Sequence, residues 1–185
     1  MYTVKDGRDV TPPHCLPGLL LYPPWDAATL DVSFKLYDNL NRDAVKVLRW
    51  DETFPVNDLV LGATDKLVVI IHGYTENPDE AWINRMRDAY FRRPEIRSIK
   101  WISVDWEKGA LGSTLLFPRN YVQASSNARA VGMILGTFLG RLMMAYDIGE
   151  ESLHILGHSL GAHVMGGAIE VLHRNFNIKA GRATG

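Results

Sequence analysis

Gly157-His158-Ser159-Leu160-Gly161 is the stretch whose residue types and spacing could do chemistry. A serine with a glycine two residues away on each side is the G-x-S-x-G pattern of a nucleophile elbow. In such an elbow a sharp strand-to-helix turn holds the hydroxyl clear of the backbone. Side-chain carbons at Gly157 or Gly161 would collide where strand and helix approach. The chemistry is acyl transfer: the Ser159 oxygen attacks an acyl carbon, and an oxyanion forms beside backbone donors. The Leu160 amide is one such donor, at the positive end of the helix that starts there. The pentapeptide alone is a weak signal and would otherwise be a glycine-rich turn with a surface serine. Its weight comes from context, a strand before and a helix after. The apolar run Leu153-His154-Ile155-Leu156 and the small-residue run from Gly161 to Gly166 meet both conditions.

The rest of the chain must position this turn. Residues 31–37 alternate apolar and polar, as a half-exposed strand does. Residues 45–48 read as a second short strand, and Leu59-Val60-Leu61 as an edge strand. Residues 66–72 are a nearly continuous β-branched and leucine run, the pattern of a strand buried on both faces. Gly73 to Pro78 form a loop. A helix follows to about Arg92, with Trp82, Met86, Ala89 and Tyr90 on one side. Residues 99–106 give the next strand, and residues 107–120 a loop containing Leu115-Leu116-Phe117. A long helix spans residues 121–146. Its Gly132, Gly136 and Gly140 share one face, which lets it lie close against a sheet. The elbow helix runs over residues 160–175, and residues 179–185 begin another strand or turn. Strands alternating with helices imply an α/β fold with a mostly parallel sheet and flanking helices. Two parts follow: an irregular, proline-rich lead-in over residues 1–30 and an α/β domain over residues 31–185.

Composition narrows the function. The 185 residues are 46% hydrophobic and 22% charged, which fits one globular domain or most of one. A net charge of −1 gives no global preference for nucleic acid. The basic residues Arg85, Arg87, Arg92, Arg93, Arg97 and Lys100 read as a solvated helix face and the turn after it. One cysteine, Cys15, supports no disulfide framework. Residues 1–7 lack the apolar core of a secretory signal. No apolar run of the length of a membrane span is read.

Four blocks carry a family resemblance: Val69-Ile70-Ile71-His72-Gly73-Tyr74, Ile102-Ser103-Val104-Asp105-Trp106, Tyr121-Val122-Gln123-Ala124-Ser125-Ser126-Asn127-Ala128-Arg129, and Gly157-His158-Ser159-Leu160-Gly161-Ala162-His163. In order and spacing they resemble the N-terminal domain of the pancreatic lipase family of α/β-hydrolases. The resemblance implies an incomplete, N-terminal part of that fold. It assigns Ser159 as nucleophile and the Tyr74 and Leu160 amides as oxyanion hole. Gly157, His158 and Gly161 shape the elbow. Tyr121 matches a tyrosine lining the acyl pocket, although its type and position equally suit a packed aromatic at a helix start. The triad acid and histidine are expected beyond Gly185, as are the lid, the structural calcium site and the C-terminal domain. No metal or cofactor is implied within these residues. His14, His72, His154, His158, His163 and His173 are not expected to act as the base, and Asp105 is expected to be structural. The implied partners are a lipid ester and a lipid–water interface, with no nucleic acid and no membrane-spanning segment. The implied setting is extracellular. The chemical expectation is fatty-acid release from triacylglycerol or phospholipid by the longer protein. The alternative is a non-catalytic lipase-like lipid-binding protein.

Overall fold

β3, Lys66–Ile71, lies at the heart of the sheet because every residue after Lys66 is apolar and buried. The structure, a computed structural model, describes residues 22–39, 46–50, 59–95, 98–111 and 119–185. β3 pairs in parallel with β4, Ile99–Asp105, on one side and with β5, Leu153–Gly157, on the other. β1, Ser33–Asp38, runs antiparallel to β4 and to β2, Lys46–Arg49. β6, Arg182–Thr184, joins β5 in parallel with all three residues exposed. The strand order is β2-β1-β4-β3-β5-β6. This is the mixed, mostly parallel α/β sheet that the alternating pattern implies.

Alternation along β3 divides the core. Leu67, Val69 and Ile71 face one hydrophobic cluster, while Val68 and Ile70 face the other, as a period of two requires. The first cluster is covered by α4, Arg119–Tyr146, and α5, Leu160–Phe176, through residues such as Leu135, Leu139, Val164 and Ala168. The second is covered by α2, Ala81–Phe91, which buries Ile83 and Phe91 and lays Trp82, Met86 and Tyr90 against it. Ala89, expected on that apolar side, is exposed instead.

Several expectations are corrected. Residues 107–111 are not loop but a short helix, α3, Glu107–Leu111. Five residues are too few to show helical periodicity. Tertiary contact holds α3: a Cβ at Gly109 would come within 2.9 Å of a Leu30 methyl. Leu59-Val60-Leu61 pairs with no strand among the described residues. The Leu59 carbonyl accepts a hydrogen bond from the Tyr146 hydroxyl at 3.1 Å, a side chain taking the place of a ladder. A four-residue helix, α1, Ala27–Leu30, falls within the lead-in, capped by Asp26 accepting from the Thr29 amide at 2.9 Å. The basic residues do not form one solvated group. Arg85, Arg92 and Arg93 are exposed. The Arg87 guanidinium lies 4.3 Å from the Tyr37 ring centre. Lys100 is buried in β4, paired with Asp38 and 3.8 Å from Asp65. Cys15, His14, Arg97 and Leu115-Leu116-Phe117 lie outside the described residues.

α4 is long and apolar enough, by length and mean hydropathy alone, to cross a membrane. Just over half of its most apolar window is buried within the fold, as for the core helix of a globular domain. Its glycine face also meets a different neighbour than expected: α5, not the sheet. A Cβ on Gly132 would stand 2.8 Å from the Val164 carbonyl, and one on Gly136 2.6 Å from the Ala168 carbonyl. Gly140 abuts the Phe176 ring. Backbone thus lies against backbone at Gly132 and Gly136, and against a ring at Gly140. We expect Gly136→Ala to destabilise the fold by about 1–3 kcal/mol through overpacking. Gly166→Ala on α5 meets nothing within 4 Å among the described residues. That change is expected to be neutral or to stabilise by up to about 1 kcal/mol. Thermal unfolding of the two variants checks this, and equal midpoints would refute the close seam.

Candidate active site

β5 ends at Gly157, and α5 begins three residues later at Leu160. The chain reverses within His158 and Ser159. Ser159 occupies the helix N-cap with φ 54° and ψ −120°, a backbone conformation that side chains rarely adopt. Such a residue is strained by roughly 1–3 kcal/mol and persists only where its surroundings over-determine it. Here they do. The His158 amide donates to the Ile71 carbonyl at 3.0 Å, and the Gly161 amide to the His158 carbonyl at 2.8 Å. A Cβ at Gly157 would lie 2.5 Å from the Gly161 carbonyl, and one at Gly161 2.7 Å from the His72 carbonyl. Neither position admits a side chain. Ser159 is exposed, and among the described residues its hydroxyl has no hydrogen-bond partner.

The loop after β3 closes over this turn. A Cβ on Gly73 would stand 2.9 Å from the Ser159 Cβ. The next residue, Tyr74, packs partly into the main core, and its ring meets the Tyr121 ring edge-on at 5.2 Å. Thr75 has a positive φ of 60°, and its amide reaches the Ala110 carbonyl of α3 at 3.4 Å. Among the described residues, neither the Tyr74 amide nor the Leu160 amide meets an acceptor within the chain. The structure therefore brings together Ser159, Leu160, the three elbow residues and the Tyr74 loop. Tyr121 stands at the rim, 41% exposed, against Tyr74. An exposed serine flanked in sequence by one unengaged amide and faced by the loop that carries another is an arrangement that can receive an acyl carbon and its developing oxyanion.

Support for the site comes from residues the sequence left unremarked or read as structural. His72 is fully buried at the end of β3. Its Nδ1–H donates to the Gly73 carbonyl at 3.1 Å, and its Nε2 accepts from the Trp106 amide at 3.4 Å. This network fixes a neutral ring. Trp106 in turn donates from Nε1 to the His72 carbonyl at 3.0 Å. Asn127, buried on α4, accepts from the Trp25 amide at 2.9 Å and donates to the Gly109 carbonyl at 3.1 Å. It ties the chain's lead-in and α3 to α4. Glu76 accepts from the Gly73 amide at 2.6 Å, from His158 Nδ1 at 2.8 Å and from Trp82 Nε1 at 3.2 Å. Spacing gave no hint of Glu76, which reads as one more polar loop residue.

The remaining candidates sit apart from the hydroxyl. His154 bridges the Tyr90 hydroxyl and Thr184 Oγ1, each at 3.1 Å. His163 and His173 are exposed on α5. Asp105 accepts from the Glu107 amide at 3.3 Å, at the start of α3. Among the described residues, no cluster of three or more His, Cys, Asp or Glu could hold a metal ion.

Comparison with known proteins gives the same direction. The sequence profile of the lipase family matches residues 17–185. The chain is 32% identical over 145 residues to the inactive pancreatic lipase-related protein 1 of Homo sapiens, covering 78% of this chain and 29% of that protein. It is 32% identical over 162 residues to the pancreatic triacylglycerol lipase of Equus caballus, covering 88% of this chain and 32% of that protein. Against the pancreatic lipase-related protein 2 of Mus musculus, identity is 30% over 162 residues, covering 88% and 31%. The chain thus spans about a third of the length of these curated relatives.

Burial pushes the His72 pKa below its ordinary 6.5, although the bond to the Gly73 carbonyl opposes this. Below pH 6.5 the unfolded chain takes up a proton that the folded ring resists. Stability contributed by the neutral ring is therefore present above 6.5 and is lost as pH falls toward the folded pKa. His154 is also lowered, by burial and then by Arg182. We expect the unfolding temperature to fall between about pH 7.5 and 5.5. His72→Gln should start lower and show a shallower, though not flat, decline. An unchanged slope in the variant would remove His72 from the account.

Proposed function

The chain belongs to the pancreatic lipase family, and from that membership we propose that the longer protein is a serine-dependent carboxylic ester hydrolase acting on triacylglycerol. One observation supports this above the others: Ser159 is held at positive φ with its hydroxyl exposed beside the free Tyr74 and Leu160 amides. In this reading Ser159 Oγ forms a bond to the ester carbonyl carbon while its proton passes to a base. The carbonyl π electrons move to oxygen, and the resulting oxyanion accepts hydrogen bonds from the two amides. Collapse breaks the bond to the glyceride oxygen, which leaves as the alcohol with a proton from the base. Water then repeats the attack and releases the fatty acid from Ser159. The family resemblance puts the base, and the acid that orients it, further along the longer protein than Gly185. Tyr121 lines the acyl side of the site, and the setting is an extracellular lipid–water interface.

A second reading has its own support. The inactive human relative matches as well as the horse triacylglycerol lipase does. Similarity at this level fits a non-catalytic lipid-binding protein too.

Fluorophosphonate labelling of the longer protein separates the two. We expect the label on Ser159, and we expect Ser159→Ala to lose both the label and triacylglycerol hydrolysis, by roughly a million-fold in turnover. Hydrolysis that survives in Ser159→Ala would refute the nucleophile. An unlabelled Ser159 in a protein that still binds triacylglycerol emulsions would establish the binding reading. Phospholipid turnover without triacylglycerol turnover would change the substrate and leave the chemistry.

A further inference from the structure

Each of the two chain segments at the candidate site is gripped by the same carboxylate, one residue before the group that matters. Gly73 immediately precedes Tyr74, and its amide donates to Glu76 Oε2 at 2.6 Å. His158 immediately precedes Ser159, and its Nδ1–H donates to that same oxygen at 2.8 Å. The other carboxylate oxygen, Oε1, accepts from Trp82 Nε1 at 3.2 Å. Trp82 belongs to α2, and its ring also meets the His158 ring edge-on at 5.2 Å. Glu76 thus links three segments by hydrogen bonds: the loop after β3, the elbow and α2.

We infer that Glu76 is a positioning residue that sets the gap between the Ser159 hydroxyl and the Tyr74 amide. The inference rests on the hydrolase reading above. The physical case is one of geometry and degree. A peptide plane can rotate when neither of its neighbours is fixed. The Gly73 N–H lies in the peptide plane just before the one that carries the Tyr74 N–H, so holding it fixes one neighbour of that plane, and the Gly73 carbonyl, accepting from His72 Nδ1 at 3.1 Å, steadies the plane itself. Holding the His158 ring restricts the turn that carries Ser159. Hydrogen bonds to an ionised acceptor are the stronger kind. The carboxylate is held in that form: burial raises its pKa, but donation from His158 and the Gly73 amide outweighs burial and leaves it below the ordinary 4.5. Space around the clamp is tight, since a Cβ on Gly73 would lie 3.0 Å from Glu76 Oε2 and 3.1 Å from the His158 carbonyl.

The test uses the longer protein and a soluble short-chain ester. Glu76→Gln keeps the shape and one acceptor oxygen but loses the charge. We expect kcat to fall on the order of 10- to 100-fold, because a misplacement near 1 Å costs about a hundredfold. KM should stay within about twofold, since the substrate's ground-state contacts are elsewhere. The rate of phosphonylation of Ser159 by a fluorophosphonate should fall in the same proportion as kcat. His158→Ala alone should lower kcat by a smaller factor, and adding it to Glu76→Gln should change little further, as expected for two ends of one contact. If Glu76→Gln keeps kcat within about twofold of the parent, the clamp is overturned. Should that variant fail to fold, His158→Ala carries the test, because His158 is exposed; an unchanged kcat there overturns the clamp equally. Ser159→Ala distinguishes the two readings. Loss of activity in Ser159→Ala with full activity in Glu76→Gln sinks the clamp alone, and retained activity in Ser159→Ala sinks the hydrolase reading beneath it.

Discussion

At the C-terminal ends of β3 and β5, three backbones meet with no room for a side chain between them. Gly73, Gly157 and Gly161 each face backbone or the Ser159 Cβ at distances that no real Cβ tolerates. The parallel pairing of Ile71 with Gly157 brings these segments level. The bond from the His158 amide to the Ile71 carbonyl carries the pairing one step past the strand end. Once that register is set, the elbow has one way to turn. Shifting β5 by one residue would exchange its buried and facing side chains and carry Ser159 away from the Tyr74 loop. The sheet's central register and the placement of the Ser159 hydroxyl are therefore one constraint.

Strain is distributed in keeping with this. Among the described residues, five non-glycine residues have positive φ. Asp31 and Asn177 are the C-caps of α1 and α5, and Asp147 directly follows α4. Short polar side chains tolerate that conformation at helix exits, so these three need no special account. Thr75 and Ser159 differ. Neither ends a helix, Thr75 is β-branched, and both flank the same small space. Thr75 is held through its amide by α3 and through its hydroxyl, which donates to the Tyr74 carbonyl at 2.7 Å. The two strained residues lie where the close approach of loop and elbow leaves no relaxed alternative.

What the sequence made legible follows the range of the physics. β3, β4 and β5 were readable because burial on both faces demands uninterrupted apolar runs. The strand-turn-helix context of Ser159 was readable because an apolar run leads into the glycine-bracketed serine and a small-residue run leaves it. α3 was not readable: its five residues carry no period, and it is held by Leu30 and Asn127, which are distant in sequence. The glycine face of α4 was visible, but its neighbour was not. Glycines announce close approach without saying to what, and here the answer is another helix. Lys100 looked solvated because charge usually is; two aspartates 62 and 35 positions earlier change that. Glu76 was invisible for a like reason, since its importance lies in donors from Gly73, Trp82 and His158 that only the fold gathers.

The α4–α5 seam bears on the site more directly than its distance suggests. Gly132 meets Val164, Gly136 meets Ala168 and Gly140 meets Phe176, so the contacts advance in the same direction along both helices. The two helices therefore run parallel, and both begin at the same end of the sheet. α4 starts at Arg119 and carries Tyr121 in its first turn; α5 starts at Leu160 and carries Gly161. A seam this close at its glycines cannot slip by a fraction of a turn, because the next residue along would bring a side chain into the contact. The spacing between the Tyr121 ring and the Leu160 amide is thus fixed by glycines about three to five helical turns beyond Tyr121. Packing deep in the fold and the width of the site at its rim are two ends of one rigid unit.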